Sequence, residues 1–576
     1  LTAKETELER VRTYWLSQWD KMYASTEHLA IGLSEAIAVG DWRLLFLERD
    51  RVKAAQLSDI QNSAEQFFVP SNRTSGQYIP TENAKRAPVI ERPNVAALLE
   101  NYQGDKNYAA IEAFDSSPAN IQASTQRQTL NLANGVIKTA LLAKPSRGQR
   151  VHANYRIKFS ELDKLSHKAS ISAFAASQIM SGSQAMNQQE IHDRIDQLDG
   201  SLNYHISANQ LVVSLSGTGA NLPELLQLSL ELIRQAEYPE AELSDFKNQV
   251  TRALQANSAE PGSKAMHALN EYLNPFGKED LRYPMNIEEQ IESIKSITRE
   301  ELLAFNRVNF AAGEIDVSIT GSFEPQAVLK VLEETISTWP KAPAYAYISD
   351  PYFDLPSKNF ILETPDKANA VLIAKRLLAI QNNDPKFPAL LIANHILGGS
   401  ETSRLFKQVR SEHGLSYSVN SNVNASSFEP SAEWTVQAIF SPSKREEIVK
   451  VIRQTIQEAR DKGFTEQELE QSKAAVLRMR ALARAQDNVL SATWLRYLES
   501  GRDFTWNQTF EDNIRALKLE EVNQALREFL DMDQVSMALA GDFANAGADA
   551  EDDAKDGAKD GADANVVTEE KAQQAQ

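Results

Sequence analysis

Hydrophobic and polar positions along the chain fall into blocks of two kinds, and the order of those blocks recurs. Period-two alternation marks strands; apolar positions three and four apart mark helices. Residues 129–142 read as a hairpin around Asn134-Gly135, the dipeptide that a tight two-residue turn favours. Residues 150–159 read as a further strand, 164–181 and 188–198 as helices, 201–207 and 211–216 as strands, and 223–236 and 240–256 as long helices. The order returns downstream, with strands at 360–363 and 370–374, helices at 388–397 and 402–409, and strands at 416–424 and 434–440. Such an order predicts an α+β fold in which helices gather on one face of a mainly antiparallel sheet.

A second signature shows that whole domains are repeated. Glu-Leu opens a long amphipathic helix at Glu7-Leu8, Glu242-Leu243 and Glu468-Leu469. Each helix is followed some fifty residues later by a short capped helix ending near Ile60, Leu302 or Val522. Ser58 and Thr298 are the N-cap candidates there. Alternating strands at 315–320 and 535–540 follow the second and third closings. The step from Leu8 to Leu243 nearly equals the step from Leu243 to Leu469, and each has the length of a whole domain, far beyond a solenoid unit. The expected division is a partial domain at 1–81 lacking its front half, an interdomain linker at 82–128, a full domain at 129–343, another at 344–544, and a disordered acidic tail at 545–576. Nine acids against three lysines make up the charge of that tail. Because the first copy enters at its long helix, and because the chain opens on Leu1 without a Met, it reads as a fragment or processed product.

Composition narrows the chemistry. Sixty Lys and Arg against 79 Asp and Glu leave a formal charge of −19, which argues against nucleic acid as a partner. No cysteine is present, so disulfides, thiolate metal sites and cysteine nucleophiles are excluded, and an oxidising compartment is favoured. No apolar run approaches the length of a membrane span, which argues against membrane insertion. No two of the eight histidines sit three to five residues apart, and neither a G-x-S-x-G elbow nor a phosphate loop occurs.

The run Ile396-Leu397-Gly398-Gly399-Ser400-Glu401-Thr402-Ser403-Arg404-Leu405-Phe406, followed by Val409-Arg410 and Gly414-Leu415-Ser416-Tyr417-Ser418-Val419, resembles the pitrilysin/insulinase zinc metallopeptidases, the inverzincins. Gly200-Ser201-Leu202-Asn203, Asn274-Pro275-Phe276-Gly277, and Asn72-Arg73 with Tyr78 and Pro80 extend the likeness to about residues 1–80 and 125–543. The resemblance implies repeated α+β domains around a peptide chamber, zinc held by the first domain, and extended peptides added to a sheet edge. The zinc helix of that family reads H-x-x-E-H, two imidazoles one turn apart with a Glu that activates water. Here the matching positions are Ala173, Ala176 and Ser177, and the third ligand falls near Ala253. No metal ligand and no catalytic residue is therefore expected on this chain; zinc in the complete enzyme would sit on an amino-terminal half, in the same parent chain or a separate subunit.

By the same resemblance, Arg410 and Tyr417 reach across the chamber to the substrate backbone, where a guanidinium and a phenol can hold a carbonyl as charge develops on its oxygen. Taken without it, Arg410 can equally pair with Glu412 while Tyr417 packs beside a strand. Arg404 reads as a packing or capping residue. The resulting expectation is the non-zinc, carboxyl-terminal part of a periplasmic or otherwise exported bacterial metalloendopeptidase acting on peptides. The alternatives are an inactive structural or assembly subunit and a peptide-binding protein of the same family.

Overall fold

The computed structural model describes residues 3–69, 72–73, 99 and 114–546. Tyr78, Pro80, most of the expected linker and nearly all of the acidic tail lie outside the described residues. Four helices come first: α1 (Glu5–Ala24), α2 (Thr26–Val39), α3 (Leu44–Ala54) and α4 (Leu57–Phe67). A second unit runs α5 (Pro118–Ser124), β1 (Gln126–Asn131), β2 (Val136–Ala143), β3 (Arg150–Lys158), α6 (Ala169–Ser177), α7 (Gln188–Gln197), β4 (Ser201–Ser207), β5 (Gln210–Thr218) and α8 (Leu222–Gln235). It continues α9 (Glu240–Ser258), α10 (Pro261–Leu273), α11 (Ile287–Ser296), α12 (Arg299–Asn309), β6 (Glu314–Gly321) and α13 (Pro325–Ile336). The third unit holds β7 (Asn359–Glu363), β8 (Ala370–Leu378), α14 (Phe387–Leu397), a π-helical segment Phe406–Glu412, β9 (Ser416–Ala425) and β10 (Ala432–Phe440). Its helical half is α15 (Arg445–Lys462), α16 (Glu466–Arg484), α17 (Asp487–Ser500), α18 (Phe504–Ala516) and α19 (Leu519–Phe529), closed by β11 (Ser536–Gly541).

The strands form two mixed sheets, ordered β1-β2-β6-β3-β5-β4 and β7-β11-β8-β10-β9. All neighbours are antiparallel except β2 with β6 and β7 with β11. On one face of each sheet the unit's own helices close an apolar core, around Tyr155, Leu226 and Phe310 in the first and around Trp434, Leu390 and Ile452 in the second. The repeat read from the sequence is literal: α1, α9 and α16 begin at Glu5, Glu240 and Glu466, and α2, α10 and α17 at Thr26, Pro261 and Asp487.

The opposite face of each sheet is covered by a helix from the other unit. Trp494, Leu490 and Leu498 of α17 pack on Ala140 and Leu142 of the first sheet, and Ser491 Oγ donates to the Ser318 carbonyl at 3.0 Å. Ala265 and Leu269 of α10 pack on Val371, Ile373, Ala538 and Ala540 of the second. This exchange removes from water two apolar faces that neither unit could bury with its own helices, at roughly 25 cal/mol per Å². The first helical block leans on the second unit through Ser17 Oγ donating to Asp199 (2.8 Å) and Lys21 Nζ donating to the Gly200 carbonyl (2.6 Å); within the second unit Arg150 also pairs with Asp199 (2.7 Å).

Several local expectations change. The helix expected over 164–181 is broken: His167 takes a positive φ of 56°, and α6 starts only at Ala169. The helix expected over 402–409 lies later, over Phe406–Glu412, and is π-helical; Gly414, at φ +60°, turns the chain just past its end. Ser58 is not the N-cap of α4; Gln56 is, its N–H donating to Asp59 Oδ2 at 2.9 Å. Thr298 does cap α12, in a reciprocal pair with Glu301. Within the stretch read as linker, Pro118 opens α5 and Ile121 is fully buried, with Ser117 as cap. Among the described residues no helix is long and apolar enough to cross a membrane.

Candidate functional site

The positions that the resemblance aligns with zinc ligands lie on α6 and, for the third, on α9. Ala176 is buried, Ala173 and Ser177 are exposed, and the Ser177 hydroxyl lies 3.3 Å from the Phe174 carbonyl, one turn back on its own helix. Ala253, where the third ligand would fall, is an exposed alanine on α9. Two methyl groups and a self-satisfied hydroxyl do not fit zinc, which takes imidazole, thiolate or carboxylate. Among the described residues no three His, Asp or Glu side chains gather to hold a metal ion. In the third unit His395 on α14 makes a 3.1 Å hydrogen bond with Ser472 on α16, and burial lowers its pKa. It joins two helices.

The segment from Gly398 to Tyr417 has the opposite character. At the end of α14 a side chain on Gly398 would come within 2.5 Å of Ser421 Cβ, so only glycine lets the chain pass β9 there. Arg404 then binds Glu468 through two 2.8 Å bonds and the Gly463 carbonyl at 2.9 Å. Burial opposes ionisation of Glu468, yet the Arg404 guanidinium and the N–H and hydroxyl of Thr465 outweigh it and hold the pKa down to about 2. Arg404 is thus the packing residue expected. Buried Leu405 and Val409 anchor the π-helical segment, whose wide turn is closed by the His413 N–H on the Gln408 carbonyl at 3.1 Å. Insertions of this kind are rare and recur at functional sites.

Arg410 projects from that turn into solvent, its Cζ 4.9 Å from the Phe406 ring centroid. Among the described residues no carboxylate lies within 4.0 Å of it, so the pairing with Glu412 is not made. Seven residues on, the ladder between β9 and β10 slips: Ile439 faces Ser418 but Phe440 faces Ser416, leaving Tyr417 as the extra residue of a β-bulge. Ser416 Oγ holds the bulge by donating to the Ile439 carbonyl at 2.6 Å and accepting the Ser418 N–H at 3.1 Å. A bulge re-aims a side chain, and the Tyr417 ring is 88% exposed instead of packed beside the strand. β9 is also an edge strand, with one row of backbone donors and acceptors unpaired by the sheet. That outer row is taken at Ser421, whose N–H donates to the Gly398 carbonyl at 2.9 Å and whose carbonyl accepts from Asn394 at 3.0 Å. A cationic donor, a phenolic donor and the start of an edge strand therefore fall in one stretch, a set suited to holding extended polypeptide backbone. The sequence reading picked both side chains by resemblance; the bulge and the π-helical turn had no period of their own, and only Gly414 hinted at them.

The protein family described as "Peptidase M16 inactive domain" matches residues 296–476. The non-peptidase homolog YmxG of Helicobacter pylori is 23% identical over 347 residues, covering 59% of this chain and 77% of that one. The uncharacterized zinc protease YmxG of Bacillus subtilis is also 23% identical, over 364 residues, 63% of this chain and 86% of that one. Among solved structures, the peptidase M16 inactive domain from Pseudomonas fluorescens superimposes with a TM-score of 0.62 at 21% identity, over 72% of this chain and 98% of that one. The periplasmic protease PqqL from Escherichia coli gives 0.59 at 14% identity; 93% of this chain is covered against 61% of PqqL.

Proposed function

We propose that this chain, a member of the M16 (pitrilysin/insulinase) peptidase family through its inactive domain, is the non-zinc half of a zinc-dependent metalloendopeptidase that degrades peptides in a closed chamber. Its companion is an amino-terminal half that carries zinc and the general base, and its setting is periplasmic or exported, as the name of PqqL states for that protein. The reading rests on the Tyr417 bulge. A register slip that drives a tyrosine into solvent lowers the stability of the strand and is retained where the side chain has work to do outside the sheet.

In this role Arg410 and Tyr417 act on the substrate, not on the metal. Arg410 places a fixed positive charge, and Tyr417 a neutral O–H, against a peptide carbonyl, and both contacts strengthen as that oxygen gains charge. The β9 edge aligns the extended backbone by strand addition. The chemistry that zinc supplies, activation of water, belongs to the companion half.

The test is turnover of a quenched fluorescent peptide by the chain combined with its companion half. Arg410→Ala is expected to lower kcat/KM about 100-fold, the scale for one transition-state donor, and Tyr417→Phe about 10-fold. Unchanged turnover in both variants would remove the assigned roles. A second reading, an inactive assembly or peptide-binding subunit, is favoured by the non-peptidase name of the Helicobacter pylori relative; it is adopted if the combined enzyme is inert and zinc-free.

A further inference from the structure

The three equivalent helices α2, α10 and α17 share a register but not a fate. Carrying the steps from Leu8 to Leu243 and from Leu243 to Leu469 over to these helices places Ala30 opposite Ala265 and Ser491, three small residues at one point of their helices. Ala265 and Ser491 are fully buried, each seated on a sheet of the other unit. Ala30 is exposed. The contact residues Ala265, Met266, Leu269 and Leu273 of α10 correspond to Ala30, Ile31, Ser34 and Ala38, and on α2 all four are exposed, Ile31 by 50%. Ile37, on the same face, is 60% exposed, and α2 has no fully buried residue.

Charge completes the comparison. Arg156 on β3 and Lys375 on β8 occupy matching places in the two sheets, for they pair with Asp316 and Ser536, and these two stand equally far along the chain from the starts of α12 at Arg299 and α19 at Leu519. Each basic residue is met by the helix covering it, Arg156 by Glu499 of α17 and Lys375 by Asn270 of α10 at 3.3 Å. At the position of Asn270, α2 presents Glu35, exposed and without an ion pair among the described residues.

We infer that α2 is a docking helix, and that its occupant is the outer face of a third sheet of this kind, one carrying small aliphatic residues and a Lys or Arg, supplied by the companion half proposed above. A second copy of this chain cannot supply it, since α17 and α10 already cover the outer faces of both sheets. The inference rests on the companion reading for the identity of the partner, and on the exposed face of α2 for the place where it binds.

The experiment mixes the chain with the separately produced H-x-x-E-H-bearing half and follows sedimentation, hydrogen exchange over residues 26–39 and peptide turnover, for the wild type, Ala30→Arg, Ile37→Asp and Glu35→Lys. The expected result is a complex with protection of the α2 amides. Ala30→Arg and Ile37→Asp should each weaken it about 30-fold or more, the size of a buried hot-spot loss, with unchanged melting of the chain alone, and Glu35→Lys by a smaller factor. A complex that leaves α2 unprotected and tolerates the substitutions overturns the docking site while the companion reading stands. A complex through α2 without turnover upholds the docking site and sinks the peptidase reading. Absence of any complex, or self-association of the wild type that Ile37→Asp abolishes, overturns the proposed occupant.

Discussion

The two sheets end in equivalent edge strands that the molecule treats in opposite ways. β4 pairs with β5 in unbroken register from Ser201 to Ser207, and its tyrosine, Tyr204, turns inward to donate its hydroxyl to the Ser229 carbonyl at 2.7 Å. β9 pairs with β10 through a bulge, and its tyrosine, Tyr417, points into solvent. One edge is arranged for stability; the other gives up regularity to present a ring and a phenol. An aromatic residue on an edge strand is therefore no sign of function until the register is known, because alternation alone places it inside or outside.

The largest effect separating the edges is at Tyr204, only 6% exposed. Replacing it by alanine leaves a cavity and an orphaned carbonyl, and should cost about 3–5 kcal/mol, read as a fall in the denaturant midpoint. A loss below about 1 kcal/mol would mean that the β4 edge is as loosely held as β9 and would dissolve the contrast.

Next comes the support behind β9. Arg404→Ala removes both bonds to Glu468 and should cost about 2 kcal/mol, within the range for hydrogen bonds to charged groups. The pH dependence has a definite sign. Glu468 has a folded pKa of about 2, below its ordinary 4.5, so its contribution is present above pH 4.5 and fades as the pH falls towards 2. Urea midpoints at pH 7 and pH 3 should separate wild type from Glu468→Gln more widely at pH 7. An equal gap at both pH values would remove this account. A comparable or smaller change, about 1–2 kcal/mol, is expected for Ser491→Ala, which deletes two hydrogen bonds between α17 and the first sheet, one to the Ser318 carbonyl and one from Asn154 Nδ2.

What could be read in advance divides along physical lines. The hairpin at Asn134-Gly135, the Thr298 cap and the Glu-Leu repeat were legible because each is a local rule, satisfied within a few residues or by a fixed offset. The exchange of α10 and α17 was not, since Ser491 meets Ser318 across 173 residues and no local pattern encodes such a partner. Even so, the spacing of the three Glu-Leu pairs contained the equivalence of Ala30, Ala265 and Ser491. At the candidate site, resemblance picked Arg410 and Tyr417, and alternation then misled: Ser416-Tyr417-Ser418-Val419 reads as ordinary strand, whereas the structure inserts Tyr417 as an extra residue. That Ala173, Ala176 and Ser177 stand where the resemblance would put metal ligands was a reading of residue identity, since a methyl or a hydroxyl bonded to its own helix offers zinc no imidazole or carboxylate.

The smallest predicted effect is the most discriminating. Tyr417→Ala should shift the stability of the chain by no more than about 0.5 kcal/mol, the ordinary scale for a surface substitution, because the ring contributes almost no buried area. Ser416, not Tyr417, holds the bulge through its bonds to Ile439 and Ser418, so the register survives loss of the ring. Thermal melts of the two alanine variants, side by side, then read the contrast directly: a large fall for Tyr204→Ala and none for Tyr417→Ala. If Tyr417→Ala melted several degrees lower, the ring would be packing against something in solution, and its exposure could no longer be taken as the mark of a side chain kept for a substrate. If the melt were unchanged, the bulge would be carrying a residue that the fold itself does not use, and the peptide turnover of the same variant would say what does.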